Sequence, residues 1–225
     1  MIVAFSGRKF AGKDTCAEGL IKRHKFIRVS LADELKDIAA VVFHIPRTRM
    51  DDPDQKEKPF KHPLIINSVH LEDLIDRLEK DGFRVSEVAQ KTIFAEFLGT
   101  PLQSIRHTLQ LLGTDICRLN VKDTIWLEYF DRRVSRIDGN VVVTDARFKN
   151  ERDHLKNLGA TLVLVQRENR SDATKLNATE LHISENQLGA EEDYDVLVYN
   201  VGTECQLQSE ISMWYTIKYA TQSNY

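Results

Sequence analysis

The sequence predicts an α/β fold of three layers, in which helices cover both faces of a central parallel sheet. Three observations support this prediction. Short runs of apolar and β-branched residues, such as 141–144 and 161–165, recur along the chain. Segments with the helical spacing of apolar residues alternate with these runs. The runs are apolar at successive positions, which is typical of parallel strands that are buried on both faces.

Length and composition limit the class of protein. The 225 residues, of which 42% are hydrophobic, fit one compact domain or one domain with an insertion. The net charge of -3 argues against a surface that binds nucleic-acid backbones, because such surfaces are strongly basic. The three cysteines lack metal-ligand spacing and indicate reduced core thiols. We find no signal pattern and no apolar run near the ~20 residues of a membrane span, so we expect a cytoplasmic protein without a membrane partner.

The N-terminal part of the chain alternates predicted strands and helices. We expect a strand at residues 2–6, a glycine-bearing turn and a helix over about 14–25. A second strand at 26–29 is followed by another helix. Residues 44–63 hold four of the five prolines and therefore indicate loop or lid material. Residues 64–95 predict a helical insertion with no clear chemistry.

The stretch GTPLQSIRHTLQLLGTD predicts a helix with two distinct faces. Thr100 is the expected N-cap, and Pro101 suits the first helical position. The apolar residues form a predicted buried stripe, which consists of Leu102, Ile105, Leu109 and Leu112. Arg106, Gln110 and Gly113 are spaced i, i+4 and i+7, so they share a second face of the helix.

The C-terminal part of the chain repeats the alternation of strand and helix. The apolar strand at 141–144 ends in Asp145, and Gly159 ends the helix that follows it. The other predicted elements are a helix at 150–158, strands at 161–165 and 195–200, and a helix at 204–220. The apolar segment ISMWYTIKY in the last helix can pack against its own sheet or against a second copy, so a homodimer stays open.

A phosphate-binding loop is predicted near the N-terminus. Gly7, Gly12 and Lys13 fit the pattern G-x-x-x-x-G-K, which follows a predicted strand and opens a predicted helix. The glycines let backbone N–H groups turn towards phosphate oxygens, and the helix directs its positive end at the same anion. Lys13 can reach the β- and γ-phosphates of a nucleotide. The alternative is a glycine turn that carries a surface lysine.

Asp14 departs from the usual loop, which has Ser or Thr at this position to contact Mg²⁺. Here the hydroxyl comes one residue later, at Thr15. A carboxylate beside phosphates repels them unless a cation lies between. We therefore expect Asp14 to face Mg²⁺, directly or through water, or to cap the loop through backbone N–H groups, while Thr15 binds the α-phosphate.

Further motifs follow the loop in a fixed order, and together they resemble one family. The motif residues are Lys56, Glu57 and Pro59; Thr100, Pro101, Gln110, Gly113, Thr114, Arg118 and Trp126; Asp145, Arg147, Phe148, Asn150 and Glu151; and His182, Ser184, Glu185, Asn200, Gly202 and Thr203. The ordered set resembles the deoxynucleoside monophosphate kinases of tailed bacteriophages over most of the chain. Lys149 replaces the usual proline of that family, and residues 64–95 match none of its motifs.

The resemblance implies a P-loop kinase fold, an enzyme and a reaction. The fold would be a single domain over residues 1–225, with a helical acceptor-binding insertion at about 46–130 and a lid at about 167–185. The reaction would transfer a phosphoryl group from ATP to a deoxynucleoside monophosphate, with Mg²⁺ as cofactor. The partners would be these small-molecule substrates, and the location would be the cytoplasm, that of the host cell if a phage encodes the protein.

The resemblance and the positions of the residues assign roles. The predicted catalytic residues are Lys13, Asp14, Arg106 and Arg147. The predicted ATP-binding residues are Gly7, Ala11, Gly12, Lys13, Asp14, Thr15, Arg167, Arg170, Asn200, Gly202 and Thr203. The predicted acceptor-binding residues are Arg106, Gln110, Gly113, Thr114, Trp126, Asp145, Arg147 and Glu151. Asp14 and Asp145 are the candidate Mg²⁺ ligands, directly or through water.

Several roles have alternatives at this stage. Trp126 can stack on a base or be an ordinary core tryptophan. Asp145 can hold the metal, accept from the acceptor sugar or cap a helix, and Glu151 can pair with Arg147 or contact sugar or base. Arg106 can be a solvated surface residue. For the whole protein, a kinase similar to phosphomevalonate kinases and a nucleotide-binding regulator without turnover are the alternatives.

Overall fold

A computed structural model describes residues 1–167 and 188–220 of the chain. The strands in this part are β1 (Ile2–Ser6), β2 (Ile27–Arg28), β3 (Pro59–Ile65), β4 (Pro101–Ser104), β5 (Val141–Val143), β6 (Thr161–Gln166) and β7 (Val196–Tyr199). The α-helices are α1 (Lys13–His24), α2 (Asp33–Val42), α3 (Arg47–Asp51), α4 (Pro53–Glu57), α5 (Ser68–Lys80), α6 (Glu87–Phe97), α7 (Ile105–Gln110), α8 (Ile125–Val134), α9 (Lys149–Asn157) and α10 (Glu204–Ala220). A π-helix at Leu111–Arg118 continues α7, and a 3₁₀ turn lies at Glu191–Asp193.

The chain divides into two compact units. The first comprises Met1–Leu31 and Asp131–Tyr225, and the second comprises Ala32–Phe130. The second unit begins earlier than the insertion predicted from about residue 46. The reason is that α2 contributes Ile38, Ala39 and Val42 to the apolar core of this unit.

The first unit is built on a parallel sheet with the strand order β2-β5-β1-β6-β7 among the described residues. Val3 of β1 is in register with Val142 of β5 on one side and with Thr161 of β6 on the other. All pairings in this sheet are parallel, so the carboxyl ends of its strands lie along one edge. The predicted α/β fold with a central parallel sheet is therefore confirmed.

Helices cover this sheet as the buried strand pattern requires. Alternate residues of the strands, such as Phe5 and Val163, pack with α1 and α10. The two helices approach closely at Gly19, where an added Cβ would lie 2.7 Å from the carbonyl oxygen of Gln208. Leu155 of α9 is fully buried, and α9 contacts β6. The apolar C-terminal segment thus packs within its own unit, and a homodimer stays a prediction.

The second unit has its own core, built from α2, α5, α6, α7, α8 and the π-helix. Leu71, Leu74 and Leu78 of α5 are completely buried, as their helical spacing predicts. A polar network also joins helices of this unit. The Arg77 guanidinium donates to Asp81 at 2.6 Å and to Glu34 at 2.7 Å, and the Tyr129 hydroxyl donates to Asp81 at 2.7 Å.

Two sequence predictions in the second unit are wrong. The proline-bearing stretch at 44–63 is not mainly loop, because it forms α3, α4 and β3. Thr100 and Pro101 do not start a helix, since Pro101 opens β4 and is in antiparallel register with Ile65. The helix begins later, at Ile105, and its N-cap is Ser104, whose hydroxyl accepts from the His107 N–H at 3.2 Å. The predicted stripe therefore runs from a strand into a helix.

Two smaller observations concern membrane-spanning helices and the cysteines. No helix of the described residues is both long and apolar enough to cross a membrane. Cys16 and Cys117 are buried free thiols as predicted, but Cys205 is exposed on the first turn of α10, so the prediction of a core thiol is wrong there. Burial raises the pKa of the Cys16 thiol to about 12. This cysteine, one helical turn beyond Gly12, is therefore not a nucleophile at neutral pH.

Candidate active site

The backbone between β1 and α1 has the geometry of a phosphate-binding loop. Gly7 has φ 150° and Gly12 has φ 107°, which are backbone conformations that residues other than glycine rarely adopt. A Cβ at Gly7 would collide with the Val165 carbonyl oxygen, and one at Gly12 would lie 2.6 Å from Asn200 Nδ2. Both glycines are thus required by conformation and by packing.

Lys13 is folded into this loop. Its side chain is only 8% exposed, and its Nζ donates to the carbonyl oxygens of Gly7 and Arg8, both at 2.8 Å. The Ala11 N–H donates to the Arg8 carbonyl at 3.1 Å and tightens the same turn. The loop therefore encloses a positive charge beside the N-terminus of α1, which is a favourable environment for an anion.

The residues after β7 brace the loop from the other side. Asn200 Nδ2 donates to the Ala11 carbonyl oxygen at 2.9 Å. Thr203 forms a capping box with Gln206 at the start of α10, because the Thr203 N–H donates to Gln206 Oε1 at 2.8 Å and the Gln206 N–H donates to Thr203 Oγ1 at 3.3 Å. Gly202 precedes this cap and is exposed. These contacts are structural, and ATP binding by Asn200, Gly202 and Thr203 stays a prediction.

Asp14 pairs with a residue that the sequence analysis did not single out. One carboxylate oxygen of Asp14 accepts from Arg28 Nη2, and the same nitrogen donates to Thr144 Oγ1 at 2.8 Å. The predicted cap through backbone N–H groups is absent from the described residues, because Asp14 directs its carboxylate at Arg28 instead. Thr15 is partly buried in the first turn of α1.

Asp145 ties the carboxyl end of β5 to the chain after β2. One carboxylate oxygen accepts from the Ser30 hydroxyl, and the other accepts from the Leu31 N–H at 3.0 Å. On the neighbouring strand, the Ser6 hydroxyl donates to the Ala146 carbonyl oxygen at 2.8 Å. These bonds fix the sheet edge from which Arg147 projects. Metal or sugar binding by Asp145 stays a prediction.

Arg147 is held through its backbone. Glu151 accepts from the N–H groups of Arg147 and Phe148, at 2.9 and 3.0 Å, and Arg152 Nη1 donates to the Arg147 carbonyl at 2.8 Å. Within residues 1–167 and 188–220, the Arg147 guanidinium itself has no hydrogen bond or ion pair. A cation at the carboxyl edge of a parallel sheet lies where such sheets bind ligands.

The prediction that Glu151 contacts sugar or base is corrected by these contacts. Glu151 is 5% exposed and occupies the N3 position of α9, where its carboxylate serves the backbone before the helix. Pairing with the Arg147 side chain is also wrong, since the carboxylate binds the Arg147 N–H instead. Arg152 is 4% exposed and stacks over the Tyr194 ring at 5.6 Å, so it is a structural arginine.

The predicted acceptor residues 106–126 lie in the second unit. The Arg106 side chain is 39% exposed, and its Nε donates to Glu57 Oε1 at 2.7 Å, so both the surface role and the acceptor role stay open. Glu57 belongs to the KE-x-P motif and lies at the end of α4. Gln110 is partly buried and Thr114 is exposed. Acceptor binding by Gln110 and Thr114 stays a prediction.

Two acceptor residues of this unit are core residues instead. Trp126 is 3% exposed, stacks on Tyr129 at 5.9 Å and donates from Nε1 to the Gly113 carbonyl at 2.9 Å. Base stacking by Trp126 is therefore wrong. Gly113 does permit close approach, but the neighbour is Leu35, whose Cδ2 would lie 2.9 Å from an added Cβ. The motif LQLLGTD is conspicuous here for its π-helix, a rare form that often occurs at functional sites.

Part of the predicted ATP site lies outside the described residues. Arg170, His182 and almost all of the lid at 167–185 fall in the segment 168–187. Arg167 is described, and it is exposed directly after β6. The residues missed by sequence reasoning are Arg28, Ser30 and Arg152. Arg28 binds Asp14, 14 positions away, and Thr144, 116 positions away. Ser30 binds Asp145, 115 positions away, and Arg152 binds a backbone carbonyl oxygen. Neither periodicity nor motif spacing signals such contacts.

A family model and curated relatives that match this chain carry the same description. The sequence model described as deoxynucleotide monophosphate kinase matches residues 60–211. A deoxynucleotide monophosphate kinase of Escherichia phage RB69 is 26% identical over 248 aligned positions, which cover 93% of this chain and 97% of that protein. The deoxynucleotide monophosphate kinase of Enterobacteria phage T4 is 27% identical, with 93% and 96% covered. A solved sugar kinase of Janibacter sp. HTCC2649 aligns over 97% of this chain and 96% of its own at 14% identity, with a TM-score of 0.40.

Proposed function

We propose, from the premise that this chain belongs to the deoxynucleotide monophosphate kinase family, that it transfers the γ-phosphoryl group of ATP to a deoxynucleoside 5′-monophosphate. The products would be ADP and a deoxynucleoside diphosphate. The observation that carries the proposal is the loop between β1 and α1, with Lys13 enclosed between two glycines of positive φ. The proposed substrates are metabolites of the cytoplasm, which is where we expect the reaction.

The donor side of the reaction is assigned to the first unit. The N–H groups of the loop and Lys13 would bind the β- and γ-phosphates, and Thr15 would bind the α-phosphate. Lys13 would exchange its bonds to the Gly7 and Arg8 carbonyls for bonds to phosphate oxygens. Arg147 is assigned to the transferring phosphate, because positive charge there stabilises the transition state of phosphoryl transfer.

The acceptor side is assigned to Arg106, Gln110 and Thr114. Arg106 already holds a carboxylate, that of Glu57, through a short bond from its Nε. A guanidinium that binds a carboxylate in this way has the geometry to bind phosphate oxygens as well. We propose that the acceptor phosphate is bound by Arg106, while Gln110 at the end of α7 and Thr114 of the π-helix contact the base.

Mg²⁺ fits the residues of the donor site. The described residues contain no cluster of three or more acidic, His or Cys side chains that could hold a metal alone. Mg²⁺ usually needs only one or two carboxylates, since nucleotide phosphates and water complete its shell. Asp14, with its side chain 69% exposed, is the proposed carboxylate, directly or through water. When bound, the ion would neutralise charge that develops on the phosphate oxygens.

The proposal is tested by measuring ADP release in a coupled assay with Mg·ATP and a panel of acceptors. The panel contains the four deoxynucleoside monophosphates, the four ribonucleoside monophosphates and phosphomevalonate. We expect turnover with at least one deoxynucleotide, and none with phosphomevalonate. Absence of turnover with every nucleotide would refute the proposal.

A Lys13→Ala variant connects the activity to the loop. We expect it to lose turnover by at least about a hundredfold, because Lys13 is the charge enclosed by the loop. The matched control is Lys22→Ala, which removes an exposed lysine from the same helix. If Lys13→Ala keeps a kcat near that of the control while circular dichroism shows a folded protein, the assignment of the loop is wrong.

A further inference from the structure

We infer that Arg28 is a positioning residue for nucleotide binding, which acts by neutralising the carboxylate of Asp14 beside the phosphate loop. The inference rests on the proposed function, because it presumes that the loop binds the phosphates of ATP. It assigns a role to a residue of β2 that lies outside the loop and outside every motif of the chain.

Asp14 creates an electrostatic conflict at the N-terminus of α1. It follows Lys13 directly, and its side chain is 69% exposed in the first turn. The positive end of a helix stabilises a carboxylate in this position, but the same end is where a phosphate binds. Two anions would thus share one helix terminus and repel each other. A compensating cation next to Asp14 removes this repulsion.

Arg28 is that cation, and its position is fixed by two partners. Its Nη2 donates both to Asp14 and to the hydroxyl of Thr144, at 2.8 Å in the second case. Thr144 is 6% exposed and follows β5, and Arg28 is itself paired in register with Val142 of that strand. The guanidinium therefore approaches Asp14 from a strand of the parallel sheet.

Fold stability does not explain the pair well. The side chains of Arg28 and Asp14 are 48% and 69% exposed, and ion pairs with such exposure contribute little to stability. Their charges would nevertheless act on a phosphate bound at the N-terminus of α1, because Coulomb interactions extend beyond direct contact. The expected effect of losing Arg28 is consequently weaker ATP binding with an almost unchanged fold.

The test measures ATP affinity by calorimetry in a double-mutant cycle, without divalent cations and then with Mg²⁺. The variants are Arg28→Met, Asp14→Asn and both together. Without divalent cations we expect Arg28→Met to weaken ATP binding about tenfold, a typical size for one nearby charge near a protein surface. Adding Asp14→Asn should restore most of this loss, because no carboxylate then remains to be neutralised. With Mg²⁺ the loss should be smaller, since the cation supplies the missing charge.

Two further variants control for general effects. The pair Lys22→Met and Glu18→Gln removes an exposed ion pair from the same helix, at 2.6 Å, and should leave ATP affinity unchanged. Thr144→Val removes the second partner of Arg28 with little change of volume. We expect its affinity for ATP to lie between that of the wild type and that of Arg28→Met. Thermal unfolding of every variant verifies that the fold is retained.

The outcomes separate the inference from the proposed function. If the wild-type protein does not bind ATP at all, the proposed function fails. If the wild-type protein binds ATP and Arg28→Met binds it equally well, the inference is overturned. If Arg28→Met weakens binding and Asp14→Asn does not restore it, Arg28 acts on the nucleotide directly, and its assignment as a positioning residue is wrong.

Discussion

Replacing Gly12 by alanine tests the loop architecture, because two independent costs meet at this residue. Its φ of 107° is strained for any L-amino acid, at a cost of about 1–3 kcal/mol. The new Cβ would also lie 2.6 Å from Asn200 Nδ2 and 2.9 Å from Leu207 Cδ2. Displacing Asn200 would break its bond to the Ala11 carbonyl, a loss of about 1 kcal/mol. We expect Gly12→Ala to lower the free energy of unfolding by about 2–4 kcal/mol in urea titrations.

Gly159→Ala is the matched control in the same unit. Gly159 has φ 74°, but nothing lies within 4 Å of an added Cβ, so only the backbone strain of about 1 kcal/mol applies. We therefore expect Gly12→Ala to be clearly more destabilising, and to weaken ATP binding as well. Equal losses of stability in the two variants would refute the argument that contact with Asn200 makes Gly12 indispensable.

Three further predictions concern the second unit. Arg106→Ala should raise the KM for the deoxynucleotide at least tenfold more than the KM for ATP in steady-state assays, and an equal change in both would contradict its assignment to the acceptor phosphate. Trp126→Phe should lower stability by about 1–2 kcal/mol in urea, because it removes the bond to Gly113, yet leave the KM for the deoxynucleotide unchanged. Burial lowers the pKa of His70 below its usual 6.5, so its contribution to stability is complete above that pH and declines as the pH falls through the folded-state pKa. His70→Gln should flatten this decline between pH 7.5 and 5.5, and an unchanged pH profile would exclude His70 as its cause.

The predictable elements are those in which local pattern and tertiary packing agree. The bounds of α10 match the prediction, and the strands β1, β5, β6 and β7 differ from it by at most a residue or two at each end. Pro101 shows where the two levels disagree. After Thr100 it has the local signature of a helix start, but pairing with Ile65 makes it the first residue of an edge strand. Pairing between residues so far apart in the chain leaves no periodic signal at Pro101.

In the candidate site too, residues within a local motif were predictable, and residues placed by tertiary contacts were not. Gly7, Gly12 and Lys13 were predictable because a motif of seven consecutive residues contains all three. Trp126 was not, since the motif that contains it does not distinguish a ligand-binding ring from one whose N–H satisfies a buried carbonyl. Arg28 could not be found at all from local pattern, because its partners Asp14 and Thr144 come from separate elements.

The π-helix at Leu111–Arg118 changes how side chains are distributed around the axis of this segment. Each residue of a π-helix advances the rotation by less than a residue of an α-helix, since its hydrogen bonds span five positions. Arg106 and Arg118, at opposite ends of the combined helix, therefore differ in direction from what an ideal helical wheel assigns. Deleting a single residue between them to restore an α-helix would rotate everything after it, including Arg118. The π-helix thus determines the direction in which Arg118 leaves the helix axis relative to Arg106.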